Sequence, residues 1–91
     1  MSPAFDRLLT FSTTFRVVAA ERALRQAGIR CGLAPTPGGV HSACGLSLRL
    51  HQADFEQALK AVEAAGLPIE GRWIADGAAW RAVTTSDETP D

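Results

Sequence analysis

Two glycines, Gly28 and Gly66, stand 38 residues apart, and the residues leading up to them match in pattern. At that offset Leu8 falls on Leu46, Val17 on Phe55, Ala20 on Ala58, Leu24 on Val62, Ala27 on Ala65 and Ile29 on Leu67. The correspondence is one of apolar pattern rather than identity. It implies two copies of one strand–helix–strand unit. A chain of 91 residues has room for one small domain and one modest core. The two units must therefore share that core.

Each unit reads the same way. In the first, Arg7 to Phe11 is a short apolar strand, and Ser12-Thr13-Thr14 offers hydroxyls to cap a helix over about Phe15–Ala27. Val17, Ala20, Leu24 and Ala27 recur at helical spacing on one face. Gly28 stops the helix, and a second strand runs from Ile29 to Ala34, ending at Pro35. In the second unit, Leu46, Leu48 and Leu50 alternate on one strand face. Asp54 is placed to cap a helix over about Phe55–Ala65, Gly66 ends it, and Pro68 prevents its continuation. A fourth strand covers about Ile69–Ala75, and the pattern then weakens through Ala78–Val83, which reads as a short strand or turn.

The expected architecture is α+β: a ferredoxin-like βαββαβ fold, with a four-stranded antiparallel sheet and both helices on one face. Residues 1–6 form an N-terminal extension, 7–83 the single domain, and the polar residues 84–91 a disordered tail. On the sheet face away from the helices, Arg7, Thr10, Ser47 and Arg49 are expected to be solvated, with Leu9 and Trp73 exposing some apolar surface. Pairing through that face or an edge strand would give a homodimer. The sequence is equally compatible with a monomer.

Composition removes some function classes. The net charge is −1 with no basic block, so the clustered Lys and Arg needed to grip phosphates are missing and nucleic acid is not an expected partner. No run approaches the ~20 apolar residues that cross a bilayer. The opening Met1-Ser2-Pro3-Ala4-Phe5-Asp6 has no charged head followed by an apolar stretch, which argues against a signal peptide and for a cytoplasmic protein. No P-loop, GxGxxG or Ser-His-Asp pattern is present.

Chemistry concentrates in the loop Pro35-Thr36-Pro37-Gly38-Gly39-Val40-His41-Ser42-Ala43-Cys44-Gly45. Proline and glycine set its backbone. In the expected topology it lies at the sheet edge where strand one ends, beside Ser12, Thr13, Thr14 and the start of the first helix. A thiolate there would be stabilised by the helix dipole and free N–H donors. Cys44 is thus a candidate nucleophile or sulfur carrier, with Gly45 allowing close backbone approach. The alternative is a small buried residue opening a strand. His41 is a candidate to tune the thiol, or an ordinary loop residue. Ser12, Thr13 and Thr14 cap the helix, and could in addition hold an anion. Cys31 alternates with Ile29 and Leu33, which points it toward the core. A closed zinc site needs four ligands, and Cys31 and His51 fall at the wrong strand ends to join His41 and Cys44.

The segments Thr10-Phe11-Ser12-Thr13-Thr14, Ala20-Glu21, Ala34-Pro35-Thr36-Pro37 and Ser42-Ala43-Cys44-Gly45-Leu46 resemble those of the selenium/sulfur carrier protein-like family, also described as a domain of unknown function. The likeness covers about Leu8 to Arg72. It implies a carrier rather than a turnover enzyme, with sulfur or selenium held on Cys44 as a persulfide or selenosulfide. It also implies a cysteine desulfurase-like donor, a sulfur or selenium acceptor enzyme and no tightly bound cofactor. Relatives carry a basic residue after the second proline, where this chain has Gly38-Gly39. The competing expectation is a non-catalytic ferredoxin-like module that binds a small ligand or a protein, with Cys44 as packing.

Overall fold

A computed structural model describes residues 5–83. The elements run β1 (Arg7–Thr10), α1 (Thr14–Gln26), β2 (Gly32–Pro35), β3 (Leu46–Leu50), a 3-10 turn (Gln52–Asp54), α2 (Phe55–Ala64), β4 (Gly71–Asp76) and β5 (Ala79–Ala82). The sheet is antiparallel, in the order β2-β3-β1-β4-β5. Each unit's second strand pairs with the first strand of the other unit: β2 with β3, and β4 with β1. Neither half can close its sheet alone, which makes the fold one cooperative body.

The helices carry out the repeat residue by residue. The buried positions of α1 are Val17, Ala20 and Leu24, and those of α2 are Phe55, Ala58 and Val62. They meet Leu9, Phe11, Leu48 and Leu50 in one cluster, so both helices cover the same sheet face. Each fully buried Leu or Phe of this kind contributes about 1.5–3 kcal/mol relative to exposure. Both helices end alike. Gly28 and Gly66 take φ 76 and 74. The amides of Ile29 and Leu67 reach back to the carbonyls of Leu24 and Val62 at 2.9 and 3.2 Å. This is the Schellman closure, whose left-handed residue favours glycine.

Several expectations are corrected. The sheet has five strands, not four. Asp76 and Ala79 pair across a two-residue turn in which Gly77 takes φ 63, and the chain folds back as β5 along β4. The second strand begins at Gly32 rather than Ile29, because the Schellman closure turns Ile29 into the core before the ladder starts. Pro35 is the last residue of this strand, on the sheet edge, where its missing N–H costs no ladder bond. Asp54 stands at the N-cap of α2 but makes no capping bond. Its carboxylate instead pairs with Arg30, at 3.2 Å.

The far sheet face also differs from expectation. Leu9 belongs to the core beneath the helices, and Leu8, Thr10 and Ser47 are completely buried. Strand parity explains Leu9: its cross-strand partner is Leu48, on the helix side. On the opposite side the Trp73 indole folds across Gly71 toward Thr10. A Cβ added to Gly71 would stand 2.9 Å from Trp73 Nε1 and 2.8 Å from Thr10 Oγ1. Ahead of β1, Phe5 stacks on His51 with centroids 4.3 Å apart, and Asp6 Oδ1 accepts the Gln52 N–H at 2.8 Å. The expected tail, residues 84–91, lies outside the described residues.

Candidate functional site

The register of β1 against β3 sets the site. Thr10, the last residue of β1, pairs with Ser47, so the chain leaving β1 through Phe11 and Ser12 emerges at the edge where Cys44 and Gly45 lead into β3. The loop is closed at its neck by the Thr36 N–H, which donates to Gly45 C=O at 2.9 Å. Within it, Val40 N–H donates to Pro37 C=O at 3.2 Å, across a turn centred on Gly38-Gly39 with Gly39 at φ 85. The type II geometry of that turn asks for glycine at its third position.

Cys44 is half-buried, packs against the edge of the core cluster, and donates its thiol to Leu46 C=O at 3.3 Å. Ser42 Oγ lies 3.9 Å from the sulfur. The residue between them, Ala43, donates its N–H to both carboxylate oxygens of Glu70, each at 3.3 Å. Glu70 stands immediately before β4, and its own N–H donates to Thr10 C=O at 2.8 Å. The Cys44 loop, the end of β1 and the start of β4 are thereby joined through one residue, by its side chain to the loop and by its backbone to β1. The sequence reading missed Glu70. Its contact spans 27 residues, and a single Glu before a strand gives no local signal.

At the start of α1, Thr13 is the N-cap and accepts the Arg16 N–H at 3.2 Å. Ser12 Oγ accepts from the Arg16 guanidinium at 2.7 Å, and Thr14 is the first helical residue. Ser12, Thr13 and Thr14 are exposed. The first turn carries no acidic residue and one Arg, the reverse of the pattern that suits a helix dipole. Arg16, which the sequence reading also passed over, therefore adds positive charge to an end that is already positive.

His41 is exposed in the loop, and among the described residues no hydrogen bond joins it to Cys44. Pro35, the last residue of β2, is exposed, and Pro37, which opens the Gly38-Gly39 turn, is half-buried. Both cysteines are free. Cys31 is half-buried against α1, with its thiol 3.9 Å from Glu21 C=O. Burial pushes that thiol's pKa above its ordinary value, with Glu21 adding to the rise and Arg25 opposing it. Among the described residues no cluster of three or more His, Cys, Asp or Glu could hold a metal ion, and no helix is long and apolar enough to cross a membrane.

A small α+β domain that presents one half-buried cysteine in a glycine- and proline-shaped loop is the class this fold and site define. The family model described as putative Se/S carrier protein-like matches residues 6–74, and the chain belongs to that family. The match takes in α1, the Cys44 loop and Glu70, and ends inside β4. No curated protein and no solved structure matches the chain.

Proposed function

We propose that the protein carries sulfur or selenium on Cys44, as a persulfide or selenosulfide, between a donor enzyme and an acceptor enzyme. The observation that carries this reading is the placement of Cys44 at the mouth of a closed loop, at the end of the sheet where α1 begins. The βαββαβ portion of the sheet, taken as ferredoxin-like, would be the rigid support for that loop. In the transfer, the Cys44 thiolate attacks the terminal sulfur of a cysteine persulfide on a desulfurase-like donor. The donor's S–S bond breaks, its cysteine leaves as a thiolate, and a new S–S bond forms on Cys44. The thiol proton ends on the departing cysteine, and no net oxidation occurs. Ser12, Thr13, Thr14 and Arg16 would favour the anionic product through the helix dipole and the guanidinium. Gly45 would leave the sulfur uncrowded, and His41 and Ser42 are the loop's polar neighbours.

Intact-protein mass spectrometry after incubation with a cysteine desulfurase and cysteine tests this. The expected result is a reductant-sensitive gain of one sulfur that is lost in Cys44→Ser and kept in Cys31→Ser. Loading that survives Cys44→Ser removes Cys44 from the role.

The contacts that half-bury Cys44 favour a second reading, a non-catalytic binding module in which the thiol is packing. Native thiol labelling separates the two. A Cys44 no faster than Cys31 supports the module.

A further inference from the structure

The outer side of α1 is apolar where a surface helix is ordinarily polar. The buried residues of this helix are Val17, Ala20 and Leu24. At about 3.6 residues per turn, Phe15 and Ala19 project from the opposite side, with Val18 and Ala23 flanking them. Phe15 is 75% exposed and Val18 39%. With Arg22 and Gln26 these four residues line one groove of about 240 Å³. That is smaller than the roughly 300–1,000 Å³ of a small-molecule pocket, and it suits a side chain of another protein. The internal repeat supplies a control. At the offset that aligns Gly28 with Gly66, Val18, Ala19 and Arg22 correspond to Glu56, Gln57 and Lys60, all exposed on α2. The same structural unit has an ordinary solvated outer side in α2 and lacks one in α1.

The charge around the groove selects what can cover it. α1 carries three arginines, Arg16, Arg22 and Arg25, and one carboxylate, Glu21. Glu21 is held by Arg25 at 3.1 Å, and Arg22 forms no ion pair among the described residues. The start of the helix adds its own partial positive charge, with no acidic residue in the first turn to offset it. This side of the molecule is therefore cationic, in a chain whose net charge is −1. A second copy paired across a two-fold axis would set these arginines against themselves. A partner with an apolar side chain between carboxylates meets both features of the groove. The groove begins at Phe15, in the first turn of α1. That helix starts just after Thr10, and Cys44 comes just before Ser47, the cross-strand partner of Thr10. A protein seated there stands at the Cys44 end of the sheet. We propose, resting on the reading of Cys44 as the carrying thiol, that this side of α1 is the docking surface for the donor enzyme, which presents an apolar side chain flanked by Asp or Glu. Phe15 is the anchor, and Arg22 steers the approach.

The test compares two sulfur donors in the full chain with Cys31→Ser. Glutathione persulfide passes its terminal sulfur to a thiol and leaves as glutathione, with no need of a docking surface. A cysteine desulfurase charged with cysteine has to dock. Loading from each is followed by intact-protein mass spectrometry in the parent, Phe15→Ser and Arg22→Glu. Loading by the enzyme should fall about tenfold or more in Phe15→Ser, through a higher KM for the carrier at little-changed kcat. In Arg22→Glu it should fall about threefold or more. In about 1 M salt, where charges are screened beyond about 3 Å, the parent and Arg22→Glu should converge while the Phe15→Ser deficit persists. Loading by glutathione persulfide and the unfolding midpoint should match the parent in Phe15→Ser and Arg22→Glu, because both side chains are exposed. Unchanged enzyme loading in both variants, or an equal fall with both donors, overturns the proposal. So does a parent loaded by glutathione persulfide and not by the desulfurase, which leaves the carrier reading standing. A parent that sediments as a dimer, and as a monomer once Phe15 is replaced by Ser, gives the groove to a second copy and overturns it too. If Cys44 takes sulfur from neither donor, the carrier reading fails. Binding of the desulfurase to fluorescently labelled parent, lost in Phe15→Ser, then upholds the docking surface by itself, and its absence overturns it.

Discussion

Replacing Gly71 by Ala tests the packing that holds β4 against β1 and, one residue upstream, holds Glu70 over the loop. The added Cβ would meet Thr10 Oγ1 at 2.8 Å and Trp73 Nε1 at 2.9 Å, both closer than a methyl group tolerates. Neither neighbour can yield cheaply. Thr10 is completely buried on the central strand, and Trp73 Nε1 is a buried ring atom with no hydrogen-bond partner. A methylene forced into a packed site of this kind costs about 1–3 kcal/mol. A loss of 1 kcal/mol lowers the midpoint of a domain this size by about 4–8 °C, so the variant should melt roughly 5–20 °C early. Urea unfolding followed by fluorescence of Trp73 and Trp80 measures the change, and an unaltered m-value would show that both proteins still unfold between the same end states. The clash is specific to Thr10, so Thr10→Ala should cost less in the Gly71→Ala background than in the parent, a positive coupling in a double-mutant cycle. A Gly71→Ala protein within about 0.5 kcal/mol of the parent, or strictly additive substitutions, would refute the account of the far face given above.

Three further outcomes are expected. Thr13→Ala removes the acceptor for the Arg16 N–H and should cost about 1 kcal/mol of unfolding free energy by denaturant titration. Leu48→Ala, at a completely buried residue of β3, which lies between β1 and β2, should cost about 2–5 kcal/mol. Cys31 has a thiol whose pKa is raised in the folded protein, so the folded state holds that proton more tightly than the unfolded chain does. Stability from this group is complete below the ordinary thiol range and falls as pH climbs through it toward the raised value. A pH series of unfolding midpoints should show that alkaline decline in the parent and a smaller one in Cys31→Ser.

What could be read from the residues alone was whatever depends on neighbours close in the chain. The helices were legible because Val17, Ala20 and Leu24, and again Phe55, Ala58 and Val62, recur at a spacing that only a helix turns to one side. Their ends were legible because Gly28 and Gly66 supply the left-handed residue that a Schellman closure demands. The strand Leu46–Leu50 announced itself by alternation, and Cys44 by the glycines and prolines ahead of it. Family membership followed from the same local segments.

Tertiary structure decided the rest, since those features are properties of pairs distant in sequence. β5 is a strand because β4 offers it an open edge after the Gly77 turn, not because Ala79-Trp80-Arg81-Ala82 alternates strongly. Thr10 and Ser47 are buried because a central strand has neighbours on both sides and the Trp73 indole folds across one face, whatever the polarity of their hydroxyls. Asp54 turned from its cap to Arg30, 24 residues away, and Glu70 to Ala43, 27 residues away. A carboxylate takes whichever donor the folded backbone brings within reach. The sequence by itself determined that this chain would present Cys44 in a loop at one end of a small α+β domain. Only the packed sheet decided that the N–H beside that cysteine would be held by an anion from β4's edge.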